Sequence, residues 1–296
     1  MKGCLMLSRK YRLILLPAEA RIMKTALQTH RPQRPPEVLL RVDGLHYTYA
    51  QDAAPVLSDV NFYVRKRSIT ALIGRSGGGK TTLFNILCGF ITPTSGWCYI
   101  KDAAISSPSA ERIPIFQEDG LWPWLNTIQN VTLAHLLCRG RLHARSAEQE
   151  AAEILQSVGI SKNFHHTYTK HLSTGMKKRV ELARALIARP AMLLADEPFA
   201  SIDSNAKSTL HDLLLSLWEK RGLTIFLSTH DLHEALYLAS DILILTKQGD
   251  TSVIERAVKN PFQGKKRAMR EETESYFRFY DHLHSRLFNT HEESLA

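Results

Sequence analysis

The chain has no run of about 18 apolar residues, the length a helix needs to cross a bilayer. The nearest stretch, Cys4 to Leu16, is interrupted by Arg9, Lys10 and Arg12. It reads as a poor signal peptide or, better, as a frayed N-terminal extension. Met23 is an alternative start, because Met1 to Pro36 carries no motif and ends in the Pro-rich segment Arg31 to Pro36. Cysteine is scarce: Cys4, Cys88, Cys98 and Cys138 form no C-x-x-C pair. That excludes a disulfide framework and suits a reducing cytosol. The histidines His165, His166, His171, His282 and His284 lack metal-ligand spacing and read as surface. No internal repeat is visible, so one functional unit is expected.

What is present is a chain of 296 residues, 44% hydrophobic, with a formal net charge of +9. That length supports one large α/β domain with short extensions. The positive charge is scattered apart from Lys265 to Arg267 and the helix after Ser173. A solvated face explains it best, a membrane-apposed surface second, and nucleic acid is not expected as a partner.

Val38 to Val64 reads as strands over Leu39 to Val42, Leu45 to Tyr49 and Val60 to Val64, with turn residues Gln51 and Asp52 between. Ile69 to Ile73 is a buried strand. Lys80 to Leu87 is helical and stops at Gly89. The turn Pro93 to Gly96 precedes a strand, Trp97 to Ile100. From Glu118 to His171 the pattern is helical, most clearly over Ala147 to Val158. Then follow a helix (Met176 to Ile187), a strand (Met192 to Ala195), a helix (Asn205 to Lys220), a strand (Leu223 to Ser228) and a helix from Asp231. Asp231 and Glu234 predict a capping box at that start. Alternating strands and helices imply a mostly parallel sheet.

Gly74-Arg75-Ser76-Gly77-Gly78-Gly79-Lys80-Thr81 fits G-x-x-x-x-G-K-[ST] between a strand and a helix. Its glycines let backbone N–H groups form an anion nest, and the helix start adds partial positive charge. Lys80 is expected to reach the β- and γ-phosphates of ATP, and Thr81 to ligate Mg²⁺, with Thr82 beside it. The strand Met192 to Ala195 delivers two adjacent carboxylates. Asp196 is expected in the Mg²⁺ shell, and Glu197 as the base that orients and deprotonates water. Gln117, after Ile113 to Phe116, would bind Mg²⁺ or the water. His230, after the strand ending at Ser228, would contact the γ-phosphate. Tyr49 would stack on adenine, with Tyr47 and Tyr63 as competitors and an edge-strand core role as the other reading.

These motifs stand in the order found in ATP-binding cassette (ABC) ATPases, which the chain resembles from about Val38 to Thr246. Gly74 to Thr81 resembles Walker A, Gln117 the Q-loop, and Leu172-Ser173-Thr174-Gly175-Met176 the ABC signature. Met192 to Glu197 resembles Walker B, Ala200 to Asp203 the D-loop, and His230 the switch histidine. The resemblance implies an ABC-type P-loop NTPase core, a mostly parallel α/β sheet with an antiparallel β subdomain, plus a helical subdomain. It implies an N-terminal extension over 1–37, an ATPase domain over 38–247 with its helical subdomain at 118–171, and a partly helical C-terminal extension over 248–296. It also implies a head-to-tail dimer with each ATP between the Walker A of one copy and Ser173 and Gly175 of the other.

Phe116 to Glu118, Leu121 to Leu125, Asn130-Val131 and Met176 to Val180 further resemble the nitrate/sulfonate/taurine importer ATPases. Such proteins serve an integral membrane permease and, through it, an extracytoplasmic solute-binding protein, from the cytoplasmic face of the cell membrane. By that likeness Trp122 and Trp124 lie near the groove that receives the permease; the other reading packs both into the helical insertion. An exporter, a lipid-handling complex or a non-transport ABC ATPase would share the catalytic residues. A single cassette, with no long coiled coil between Lys80 and Ser173, counts against translation and repair proteins. Three positions depart from the family pattern. Thr174 stands where Gly is usual, so its Cβ is expected to restrict φ and crowd the approach to the partner copy's γ-phosphate, slowing function but not abolishing it, because Ser173 and Gly175 remain. Arg67 stands at a usual turn Gly. The segment from Gln248 onward matches weakly, and its aromatic stretch Arg270 to Phe288 is expected to pack on the core or a partner.

Overall fold

The computed structural model describes residues 37–50, 54–139, 144–255, 257–264 and 273–288. The turn expected at Gln51 and Asp52 and the whole of 1–36 lie outside them. The strands are β1 (Val38–Tyr47), β2 (Leu57–Arg65), β3 (Ile69–Gly74), β4 (Ser95–Ile100), β5 (Ala103–Ala104), β6 (Arg112–Ile115), β7 (Met192–Asp196), β8 (Ile225–Thr229), β9 (Asp241–Gln248), β10 (Thr251–Ile254) and β11 (Val258–Lys259). The helices are α1 (Lys80–Cys88), α2 (Thr127–Arg139), α3 (Ala144–Ser157), α4 (Thr174–Ile187), α5 (Ser204–Arg221), α6 (Leu232–Leu238) and α7 (Glu274–Phe288).

One sheet joins all the strands in the order β5-β4-β1-β2-β10-β9-β3-β8-β7-β6, with β11 on β9. Strands β9, β3, β8, β7 and β6 pair in parallel, while β1 pairs antiparallel with both β2 and β4. The parallel strands are buried on both faces, so they read as continuous apolar runs. Ile69, Ala71, Ile73, Leu193, Ala195, Ile225 and Leu227 face the helical side with α4, α5 and α6. Leu72, Leu194, Phe226 and Leu243 face the other side, with α1 and the antiparallel arm. The parallel pairing of β9, β3, β8, β7 and β6 places the C-terminal ends of these five strands on one edge.

Five expectations change, the first being His165, which reads as surface but is buried. The two strands expected over 39–49 form a single β1, bent by register shifts between Val42 and Tyr47, around Gly44 with φ +50°. The bulge interrupts hydrophobic alternation and so mimics a break in the sequence. Strands β10 and β11 extend the same sheet beyond residue 247, inside the segment read as an extension. The capping box at α6 is half made: Asp231 accepts from the His233 and Glu234 N–H groups, but its own N–H donates to Thr229 Oγ1. Thr174 begins α4 with ordinary negative φ, Ser173 being the N-cap, so its Cβ imposes no backbone restriction. Arg67, by contrast, does take φ +56°, held by its N–H to Thr224 Oγ1 and by Trp218 Nε1 donating to its carbonyl.

Candidate functional site

The loop from Gly74 to Gly79 leaves β3 and enters α1. Gly77 has φ +72° and Gly79 φ +90°, conformations that residues with a Cβ rarely adopt. Both are needed to turn successive N–H groups inward ahead of the helix. Arg75, Ser76 and Gly77 are exposed, whereas Gly78, Gly79 and Lys80 are buried. The Lys80 ammonium donates to the carbonyls of Gly74 at 2.9 Å and Arg75 at 3.2 Å, and lies 3.5 Å from Glu197 Oε1. Thr81 is exposed on the first turn of α1. Thr82 is buried, and its hydroxyl is 2.9 Å from the Tyr49 hydroxyl.

Tyr49 is 66% exposed and meets Tyr47 edge-on at 5.0 Å, so its outer ring face is open beside the phosphate loop. Tyr63 is also exposed, but it sits on β2 opposite Arg41, away from α1.

The end of β7 carries the carboxylates. Asp196 is buried and accepts a 2.5 Å hydrogen bond from Ser228 Oγ on neighbouring β8. No cation pairs with it among the described residues. Glu197 follows with φ +44°, a left-handed conformation that costs about 1–3 kcal/mol away from glycine. Its N–H is held by the Ser228 carbonyl and hydroxyl, both at 3.1 Å. That twist re-aims the side chain: Oε2 lies 3.0 Å from His230 Nδ1, and Oε1 faces Lys80. The structure therefore brings Lys80, Asp196, Glu197 and His230 together from the ends of β3, β7 and β8.

Gln117 lies exposed just beyond β6. The segment it opens is clamped by α4. Lys178 donates to the Phe116 carbonyl at 2.9 Å, Glu181 accepts from the Gly120 N–H at 2.6 Å, and Arg184 donates to the Gly120 carbonyl at 2.5 Å. The Arg184 guanidinium also lies over Trp122 at 5.0 Å. Burial pulls Arg184 down from its ordinary pKa, opposed by Glu181 and Asp119. Ser173 is exposed at the α4 N-cap, accepting from the Met176 N–H at 3.3 Å, and Gly175 is half-buried beside Ala206. Neither is hydrogen-bonded to the 74–81 loop among the described residues.

Trp122 lines a groove of about 220 Å³ with Phe116, Leu137, Cys138 and Arg184, between β6 and the helical insertion. Trp124 is 69% exposed, so it does not pack into the insertion.

Sequence reasoning missed Ser228, and with it the Lys178, Glu181 and Arg184 clamp. Ser228 bears a hydroxyl at a strand end two places before His230, and that was its only signal. The clamp had none, because its partners are about 60 positions apart.

Residues 57–200 match the ABC transporter family. The taurine import ATP-binding protein TauB of Yersinia pestis bv. Antiqua (strain Antiqua) is 39% identical over 225 residues, 75% of this chain and 85% of that protein. TauB of Pseudomonas fluorescens (strain Pf0-1) is 38% identical, over 70% of this chain and 77% of its own. The dimeric post-hydrolysis state of the ATP-binding cassette MJ0796, bound to ADP and Pi, superposes with a TM-score of 0.65 at 27% identity, covering 75% of this chain and 98% of that one. The cbiO1 protein of Clostridium perfringens, part of the ABC transporter complex cbiONQ, shares the fold, with a TM-score of 0.68 at 24% identity over 84% of this chain and 99% of its own. With the phosphate loop, the paired carboxylates and His230 gathered at one sheet edge, the chain belongs to the ATP-binding subunits of the ABC transporter family.

Proposed function

We propose that this chain is the ATP-hydrolysing subunit of an importer for a small solute, taurine or a related sulfonate, nitrate or vitamin precursor. The observation that carries the reading is the convergence of Lys80, Asp196, Glu197 and His230 at one edge. The phosphate loop binds the triphosphate through its N–H groups, with Lys80 exchanging its carbonyl partners for phosphate oxygens. Tyr49 stacks on the base with its open face. Glu197 takes the proton of the attacking water, and His230, hydrogen-bonded to it, holds its orientation and faces the γ-phosphate. A buried carboxylate such as Asp196, met among the described residues by a neutral hydroxyl and no cation, fits a divalent cation. Thr81, Asp196 and Gln117 would hold Mg²⁺, which neutralises charge on the β- and γ-phosphates.

The second copy of the chain would supply Ser173 and Gly175 to the nucleotide. The groove lined by Phe116, Trp122 and Leu137 suits a short apolar helix of a membrane permease, and its clamp to α4 links that contact to the signature. The chain then sits peripherally on the cytoplasmic face of the membrane, and an extracytoplasmic solute-binding protein delivers cargo to the permease. The test is a pull-down of tagged Glu197→Gln protein with ATP from gently solubilised native membranes. Recovery of a multi-span permease, with or without a solute-binding protein, is expected. A soluble dimer alone, under conditions that preserve a known transporter, overturns the importer reading.

A further inference from the structure

Behind His230 lies an ion-pair cluster that none of the motifs uses. Asp231 divides its two oxygens between two jobs. Oδ1 accepts from the His233 N–H at 2.9 Å and the Glu234 N–H at 3.2 Å, which caps α6. Oδ2 receives the Lys207 ammonium at 2.7 Å. Lys207 is on the first turn of α5, where its own N–H donates to the Asp203 carbonyl at 2.8 Å and Asp203 caps the helix through the Ala206 N–H at 2.9 Å. The same ammonium lies 2.9 Å from Glu234 Oε2, a carboxylate only 3% exposed that also has His211 Nε2 at 3.5 Å. Burial alone would lower the Lys207 pKa and raise that of Asp231. Their mutual hydrogen bond outweighs it, joined at Lys207 by the Glu234 charge and at Asp231 by the Lys207 charge and the Glu234 N–H, so Lys207 is raised and Asp231 lowered from their ordinary values. Both groups are held charged.

We propose that Lys207 is a positioning residue for hydrolysis: it fixes Asp231 as the cap of α6, and thereby the backbone that holds His230 against Glu197. Through Asp203 it ties that backbone to the 200–203 loop, so a shift of the loop reaches the switch histidine through one ammonium group. Asp231 is next in sequence to His230, whose Nδ1 is 3.0 Å from Glu197 Oε2. A displacement of about 1 Å in such a group costs up to roughly 100-fold in rate. The inference rests on the proposed ATPase role of Glu197 and His230.

The purely structural alternative is that Lys207 only neutralises buried Glu234, and two variants separate the possibilities. Lys207→Met removes both pairs. Asp231→Asn retains a capping oxygen and leaves Lys207 with Glu234, but abolishes the Lys207–Asp231 ion pair. The measurement is ATP turnover of the purified full chain, well below each variant's melting temperature. Both variants should lose roughly 10- to 100-fold in kcat, with the KM for ATP changed less than about twofold. Lys207→Arg should restore most of the loss. The double variant should be no slower than the slower single variant, because the two residues act as one unit.

A wild-type kcat in Asp231→Asn overturns the inference, and so does a double variant whose losses multiply. Should Lys207→Met fail to fold, the Asp231→Asn arm decides alone. If the wild-type chain turns over ATP no faster than Glu197→Gln, the proposed function itself has failed, and that outcome is distinct from every other.

Discussion

At the scale of single residues, the proposed chemistry concentrates on Glu197. It sits where β7 ends, in a left-handed conformation that a glutamate adopts only when its surroundings impose it. Ser228 imposes it by accepting the Glu197 N–H with both carbonyl and hydroxyl. The same hydroxyl donates to Asp196, so one small side chain sets the direction of two carboxylates with different proposed tasks. Replacing Glu197 with Gln keeps the shape and the hydrogen-bonding reach but removes the base. Turnover should fall about 10²- to 10⁴-fold while ATP affinity persists. A phosphate-release assay together with equilibrium nucleotide binding checks both halves. Loss of binding equal to the loss of turnover would mean that Glu197 holds the nucleotide rather than the water. Thr174 teaches the converse. Its identity suggested a strained signature, yet the structure puts it at the first helical position after Ser173, where a Cβ is ordinary. A residue letter gives the size of a side chain but not the φ of its position.

Elements show where the sequence was legible and where it was not. The phosphate loop and α1 could be read because their chemistry is local: glycines, Lys80 and Thr81 lie within one turn of one another. Met192 to Asp196 could be read because a strand buried on both faces is continuously apolar. The Lys178, Glu181 and Arg184 clamp and the Lys207 cluster could not, because tertiary packing alone makes their partners neighbours. The C-terminal helix α7 falls between. Its apolar positions were visible, and Tyr276, Leu283 and Leu287 are the buried ones. What they cover was not visible. Tyr276 is 1% exposed, packs edge-on against Phe262 at 5.3 Å, and its hydroxyl is 2.7 Å from His233 Nδ1 on α6. Tyr280 stacks on the same imidazole at 4.7 Å. The tail thus braces the helix that follows His230. Tyr276→Ala should cost about 3–5 kcal/mol by the cavity it leaves, and Tyr276→Phe about 1 kcal/mol for the lost hydrogen bond. Urea unfolding checks this; equal losses for both variants would mean that the hydroxyl, not the ring, holds the helix.

Across the whole molecule, two features join distant parts. The first is Asp241 at the start of β9, which takes Arg65 of β2 at 2.7 Å and Lys259 of β11 at 3.1 Å. Burial raises its pKa, but the hydrogen bonds from Arg65, Lys259 and Ser240 outweigh it and hold it below its ordinary 3.8. A carboxylate depressed on folding contributes stability above its unfolded value and loses it as pH falls through the folded one. Asp241→Asn should therefore destabilise at neutral pH by about 1–3 kcal/mol, discounted for the exposed Lys259. The gap from wild type should close as pH drops below 3.8. Denaturant melts over that range test the sign.

The second feature concerns the copy number of the chain. Ser173 and Gly175 stand at the exposed start of α4, with no hydrogen bond to the 74–81 loop among the described residues. A helix start with a serine cap is suited to phosphate, and under the proposed function a second copy brings it to the nucleotide. Glu197→Gln protein, expected to hold ATP without consuming it, should sediment as a monomer without nucleotide and as a dimer with ATP. Adding Ser173→Arg places a bulky side chain at that contact. It should return the protein to a monomer while leaving ATP affinity within a few-fold, because Ser173 makes no hydrogen bond to the 74–81 loop of its own chain among the described residues. Sedimentation velocity at matched concentrations decides. A dimer that survives Ser173→Arg would show that the copies meet elsewhere, and a loss of ATP binding in the variant would place Ser173 in its own chain's site.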